Sequence, residues 1–239
     1  MKIIKTASDF SQWREAQSQT IGFVPTLGAL HLGHLSLVSA SKAQCNVTVV
    51  SVFLNPTQFA ANEDWDSYPD TLDADIQSLG ALSVDVLFLP DKEEMYDKVG
   101  GVRVPETELF GRLEGESRPH FFYGVTTIVA KLFNVIRPTH TFFGKKDAQQ
   151  LYIIDQMITN MHYPITLIAC PTIRDENGLA LSSRNTYLTT VDQKKASIIY
   201  IGLMHIQDAL NRGQKNSAIL KQSFEMIVLS HCLPPTFPL

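Results

Sequence analysis

The stretch FVPTLGALHLGHLSLV, residues 23–38, passes from an apolar run through a turn into apolar residues at helical spacing. Gly28 and Gly33 stand around two histidines, His31 and His34, three positions apart. A short apolar run that turns through glycine into a helix opens a strand–helix–strand unit. Whether that unit repeats decides the fold class, and what the histidines do decides the chemistry. They could be metal ligands on one helix face, but such a site wants a third ligand nearby and none is apparent. For an arbitrary pair, satisfied core or surface histidines are the default. The setting favours a third reading, phosphate binding, because the N–H groups of a glycine turn and a helix N-terminus face an anion readily. Imidazoles placed there can donate to phosphate oxygens and stabilise charge as a bond to phosphorus breaks. The helix end disfavours a charged imidazole and a bound polyphosphate favours one, so protonation is expected to rise when nucleotide binds.

Outward from this stretch the unit repeats. Strands are expected over 21–24, stopped by Pro25, and over 46–54, 84–90, 140–144 and 165–171. Helices are expected over 33–44, 68–82, 126–136 and 147–161, the last capped by Asp147. Strand–helix–strand order of this kind implies an α/β fold, a Rossmann-like parallel sheet with helices on both faces. After LSSRN (181–185) the pattern becomes helical alone, over roughly 190–212 and 216–230. A boundary near residue 172 then separates a domain over 1–172 from a small, shortened, mainly helical C-terminal domain over 173–239. Ligands of open parallel sheets bind beyond the carboxyl ends of the strands. Segments 25–34, 55–66 and 144–150 all fall there.

The bulk properties narrow the partners. The chain has 239 residues, 44% hydrophobic and 18% charged, enough for a sizeable core without staples. Twenty basic against 24 acidic residues give a net charge of −4 with no basic block, which argues against a nucleic-acid surface. Cys45, Cys170 and Cys232 lie far apart and form no CxxC pair, as reduced thiols do. The N-terminus lacks a signal-like apolar core, and no run approaches the ~18 apolar residues that span a bilayer. A cytoplasmic protein without membrane partners is expected.

Three further segments carry polar chemistry. In FLNPTQFAANEDWDSYP (53–69), Asn55 and Gln58 near a strand end suit the hydroxyl and carbonyl groups of a small ligand; the alternative is a solvated loop. In FFGKKDAQQL (142–151), Gly144, Lys145, Lys146, Asp147 and Gln150 gather at a helix start, where lysine suits phosphate and Asp147 a helix cap or a ribose hydroxyl. GLALSSRN (178–185) joins Ser182 and Ser183 to Arg184, a phosphate clamp or simply a serine-rich turn.

His31-Leu32-Gly33-His34 matches the H-x-G-H signature of the nucleotidyltransferases related to class I aminoacyl-tRNA synthetases. With the segments VSVFLNPTQFAANEDWDSYP, LEGESRP, GVTTIVAKLFNVI, FFGKKDAQQL and GLALSSRNTYL in order, the chain resembles the pantoate–β-alanine ligase family over most of residues 20–190. The resemblance implies an ATP-dependent, Mg²⁺-requiring condensation of (R)-pantoate with β-alanine through pantoyl adenylate, releasing pyrophosphate and AMP, in a homodimer. It also implies roles. Leu27, Gly28, Ala29, Leu30, His31, Leu32, Gly33 and His34 would hold ATP, with His34 the proton donor or charge stabiliser. Gly144, Lys145, Lys146, Asp147, Ile173, Leu181, Ser182, Ser183 and Arg184 would complete the ATP contacts, with Lys146 and Arg184 on the phosphates. Gln58, Gln150 and Asn55 would take pantoate and β-alanine, and Asp75 would stand near Mg–ATP, since carboxylates suit that cation.

The chain departs from the family pattern at Asp70, where arginine is usual, and at His120 and Phe121, where glycine and histidine are usual. The smaller domain, a lid in the family, is short. Two other readings compete: transfer of AMP or CMP to a phosphorylated acceptor, and an idle ATP-binding regulator. The neutral Gln58 and Gln150 argue against the first, and the intact His31, His34, Lys146 and Arg184 against the second.

Overall fold

The structure, a computed structural model, describes residues 1–60, 63–96 and 107–232. Residues 61–62 of the 55–66 segment and the terminal residues 233–239 lie outside the described residues. Two compact units are present, Met1–Pro171 and Thr172–Leu239. In the first, the elements run β1 (Lys2–Ile4), α1 (Ala7–Glu15), β2 (Ile21–Thr26), α2 (Leu32–Gln44), β3 (Val47–Val52), α3 (Leu72–Ala81), β4 (Val86–Phe88) and α4 (Lys92–Met95). They continue as α5 (Glu114–Ser117), α6 (Phe121–Ile136), β5 (His140–Gly144), α7 (Ala148–Asn160) and β6 (Thr166–Cys170).

The six strands form one parallel sheet in the order β1-β4-β3-β2-β5-β6. Side chains alternate between its faces, so the strands from β2 to β6 feed two cores, while β1 buries only Ile4. Ile21, Phe23, Val49, Val86 and Phe88 pack on one side with Phe10 of α1, Phe133 of α6 and Ile154 of α7. Val24, Val50, Leu87 and Phe142 pack on the other with Leu37 and Val38 of α2 and Leu79 of α3. Each such side chain, fully buried, contributes ~1.5–3 kcal/mol. The expected Rossmann-like sheet, with helices on both faces, is present.

Several boundaries differ from expectation. Pro25 does not stop β2, which runs on to Thr26 with Pro25 opposite Ser51 of β3. β5 pairs with β2 only at Gly22 and Phe23, so Pro25, with no N–H to donate, lies beyond the last β2–β5 pair. β1 and α1 were not marked by the pattern: three residues are too few to show alternation, and α1 buries only Phe10. Asp147 does not cap α7 with its side chain; a 3₁₀ turn over Lys145–Asp147 precedes that helix.

The second unit contains α8 (Thr190–Ala196), α9 (Ile198–Asn211) and α10 (Ser217–Cys232), the expected long helix being divided at Ser197. No helix among the described residues is long and apolar enough to cross a membrane. Cys45 and Cys170 are free thiols.

Candidate active site

The strand order reverses at β2. From β2 the chain winds outward through β3 and β4, then returns to place β5 on the opposite side. The loops leaving β2 and β5 therefore diverge, and open α/β sheets bind ligands in the crevice so made. The loop after β2 carries the histidines and the turn after β5 carries Lys145, Lys146 and Asp147.

The β2–α2 loop is held in an unusual backbone conformation. Gly28 has φ +95° and Ala29 φ +50°, both left-handed. Glycine adopts this at little cost, whereas alanine pays ~1–2 kcal/mol. What over-determines it is Asp75 on α3, only 3% exposed. Its Oδ2 accepts the Ala29 N–H at 2.9 Å, and its Oδ1 accepts the Leu30 N–H at 2.8 Å and the Thr71 hydroxyl at 3.2 Å. Both Asp75 oxygens thus brace the loop that carries the histidines.

The glycine turn is likewise not a cradle of free amides. Gly28 N–H goes to Thr26 Oγ1 at 3.3 Å, and those of Ala29 and Leu30 go to Asp75. His31 N–H goes to His34 Nδ1 at 3.3 Å, and Gly33 N–H to His31 Nδ1 at 3.1 Å. The last two bonds form a capping box made of two histidines at the start of α2. The rings stack with centroids 4.0 Å apart. Because each Nδ1 accepts, a neutral ring must carry its proton on Nε2. Burial, reinforced by the charges of His31 and Lys146, pushes His34 down to about 3. Burial and Lys146 also lower His31, against the opposing pull of Asp147. At neutral pH the pair therefore offers two uncharged Nε2–H donors.

Gly144 ends β5 in extended conformation, and Lys145, Lys146 and Asp147 are exposed beyond it. Lys146 Nζ lies 3.3 Å from Asp147 Oδ1, an exposed pair worth at most ~1 kcal/mol and easily exchanged for a ligand. Leu27 and Leu30 are half-buried, while Leu32, the first residue of α2, is 67% exposed.

At the end of β3, Asn55 is fully buried and fully committed. Its Oδ1 accepts from Tyr96 OH at 2.7 Å, Thr57 Oγ1 at 3.0 Å and Thr57 N–H at 3.4 Å. Its Nδ2 donates to Gln58 Oε1 at 2.8 Å and the Gly124 carbonyl at 3.1 Å. Both side-chain N–H donors of Asn55 and its side-chain oxygen are thus engaged within the protein. With its Oε1 taken, half-buried Gln58 has its side-chain NH₂ to offer. Gly124 permits this packing, since a Cβ there would overlap the Thr57 carbonyl. Arg118 donates to the Gln58 carbonyl at 3.1 Å and binds both oxygens of Glu63, at 2.6 and 2.7 Å. Nothing in the sequence pattern marks Tyr96, 41 residues from its partner Asn55.

On α7, half-buried Gln150 makes no side-chain hydrogen bond among the described residues, whereas its neighbour Gln149 is used up on the backbone of Leu109, Arg112 and Glu114. Of the departures, His120 is exposed at the start of α6, Phe121 lies under the Arg118 guanidinium at 3.9 Å, and Asp70 is exposed. Among the described residues no group of three or more His, Cys, Asp or Glu is arranged to hold a metal ion.

In the second unit, an antiparallel bridge between Arg174 and Ala180 closes a turn at Asp175–Gly178. Arg174 stacks 4.0 Å over Tyr200, and Leu181 N–H bonds the Ile173 carbonyl at 2.9 Å. Ser182 Oγ accepts the Arg184 N–H at 3.3 Å and opens a 3₁₀ turn over Ser183–Tyr187. Ile173, Leu181, Ser182 and Ser183 are half-buried and Arg184 is exposed.

The sequence model of the family described as Pantoate-beta-alanine ligase matches residues 2–232. The pantothenate synthetase of Thermosipho africanus is 45% identical over 215 residues, 90% of this chain and 77% of its own. That of Fervidobacterium nodosum is 42% identical over 236 residues, 98% of this chain and 84% of its own. The solved pantoate-beta-alanine ligase of Thermus thermophilus superposes with TM-score 0.90 at 39% identity, over 96% of this chain and 83% of that one. The ligase from Francisella tularensis, described as complexed with beta-gamma ATP and beta-alanine, superposes with TM-score 0.82 at 39% identity, over 95% and 86% of the two chains. A family match over nearly the whole length, carried on the same sheet, leaves one assignment: the chain belongs to the pantoate–β-alanine ligase family.

Proposed function

We propose that the stacked His31–His34 pair and Lys146 activate the substrate carboxylate at ATP, while Gln58 and Gln150 hold pantoate. The protein is an ATP-dependent ligase that joins pantoate to β-alanine. In the first step a pantoate carboxylate oxygen attacks the α-phosphorus of ATP, the bond to the β-phosphate oxygen breaks, and pyrophosphate leaves. In the second the β-alanine amine attacks the acyl carbon of pantoyl adenylate, AMP leaves with the C–O electron pair, and the amine loses a proton. The protein forms no covalent bond in either step, so its contribution is positioning and charge stabilisation.

The observation that carries this reading is the tautomer lock at the head of α2. Two Nε2–H donors stand ready on uncharged rings, which are far weaker acids than imidazolium, and this suits stabilisation of negative charge on phosphate oxygens rather than acid catalysis. Lys146 supplies the positive charge. The loop Leu27–Leu32, with Gly33, Gly144, Lys145 and Asp147, forms the ATP-facing surface of the first unit. In the second unit Ile173 takes adenine, Leu181 adds an ATP contact, and Ser182, Ser183 and Arg184 take phosphate. Mg²⁺ enters as part of the ATP substrate complex, consistent with a cation that keeps much of its water and binds chiefly through phosphates. A cytoplasmic homodimer completes the reading.

The test is pyrophosphate release from ATP on adding pantoate, followed by AMP release on adding β-alanine. Release that does not depend on pantoate overturns it.

A further inference from the structure

We infer that Arg118 is a positioning residue for pantoate recognition, acting by fixing the backbone of Gln58. The inference rests on the reading of Gln58 as a pantoate contact. Arg118 stands 60 residues from Gln58 in sequence and bonds its carbonyl through Nη2 at 3.1 Å. The rest of the guanidinium is clamped. Nε and Nη2 bind the two oxygens of Glu63 at 2.6 and 2.7 Å, and Nη1 binds Glu114 at 2.8 Å. Phe121, at the position where the family pattern has histidine, forms the floor 3.9 Å beneath it. Burial works against the Arg118 charge, but the hydrogen bonds it donates to Glu63 and Glu114, with their negative charge, outweigh it and hold the group firmly protonated.

This arrangement differs from an ordinary surface ion pair, which fixes nothing. A planar fork whose donors are engaged on three sides has one orientation, and a lysine cannot reproduce it. Gln58 is thereby held at every polar atom but one. Its N–H bonds the Asn55 carbonyl at 3.2 Å, its Oε1 accepts from Asn55 at 2.8 Å, and its own carbonyl accepts from Arg118. The remaining group is the side-chain NH₂, and Arg118 is the constraint that reaches it from outside its own turn.

The experiment is a mutant cycle read by pantoate-dependent ATP–pyrophosphate exchange, with KM for pantoate and ATP measured separately. Arg118→Met should raise the pantoate KM about tenfold and leave the ATP KM within about twofold, the size of coupling expected for contacting residues. In a Gln58→Ala background Arg118→Met should add nothing, because the group it aims is gone. Arg118→Lys should show most of the same rise. Independent, multiplying effects in the double variant, an equal rise in ATP KM, or wild-type behaviour of Arg118→Lys would each overturn the inference. If Gln58→Ala alone leaves the pantoate KM unchanged, the reading of Gln58 falls and the role of Arg118 with it. If Gln58→Ala raises it and Arg118→Met does not, the role of Arg118 alone falls. Should Arg118→Met not fold, Arg118→Lys carries the same cycle.

Discussion

His34 Nδ1 accepts the backbone N–H of His31 at 3.3 Å, and His31 Nδ1 accepts that of Gly33 at 3.1 Å. Each ring thus holds the backbone with one nitrogen and presents the other. His34→Ala removes one Nε2–H donor, proposed to face phosphate, and one capping acceptor. Adenylate formation should fall by about 10²–10³-fold, the usual cost of losing one donor to developing charge. Pre-steady-state pyrophosphate release measures it, with circular dichroism checking the fold; an unchanged rate removes His34 from the mechanism.

The depressed pKa values give a pH signature. His34 titrates at about 3 in the folded protein against an ordinary 6.5, and His31 is shifted in the same direction. Between those values the unfolded chain binds more protons than the native one. Stability from this source is complete above 6.5 and declines as pH falls toward 3. Urea midpoints at about pH 7.5 and about pH 5 should therefore differ less for His34→Gln than for the unsubstituted protein. An identical acid loss in both would refute the assignment.

Asp75→Asn puts an NH₂ against one of the Ala29 and Leu30 N–H groups that the carboxylate now accepts. Leaving a buried donor unpaired costs ~1–3 kcal/mol. The left-handed Ala29 then loses its restraint, so the ATP KM should rise along with the drop in urea midpoint. The Mg²⁺ concentration for half-maximal activity should stay where it is. A selective shift of that concentration, with stability intact, would return Asp75 to the metal.

Asn55→Ala empties a fully buried position that makes five side-chain hydrogen bonds, to Thr57 twice, Tyr96, Gln58 and Gly124. A loss of ~2–4 kcal/mol is expected, the range for breaking a buried network. Tyr96→Phe breaks one of those bonds to Asn55 and should cost ~1 kcal/mol. Both are read by urea denaturation. An Asn55→Ala protein of unchanged stability, with only the pantoate KM raised, would instead make Asn55 a direct contact.

What could be read in advance follows the range of the interaction. The strand, glycines, histidines and apolar period of residues 23–38 are neighbours in sequence, so the β2–α2 unit and the parallel sheet were legible. Residue type also marked Asn55, Asp75 and Asp147 as polar groups in the right places. Type does not say which partner a polar side chain finds. Asp75 meets Ala29 across 46 residues and Asn55 meets Gly124 across 69, and those meetings make each side chain an internal brace that no local pattern announces. The ends of elements were hidden for a related reason. Pro25 remains in β2 because its neighbour β5 has already parted from it, a fact of pairing that no local pattern contains.

The bonded amides of residues 28–31 and of Gly33 divide labour between two kinds of atom. Backbone hydrogens hold the shape, and in the proposed function the ring nitrogens are left to meet the nucleotide. A loop that gripped phosphate with its own amides could be retuned only by bending the chain. Here the grip can be exchanged at one or two side chains while the scaffold stays as it is. Binding strength and loop architecture can therefore drift separately among members of the family, and a weakened enzyme need not be a misfolded one.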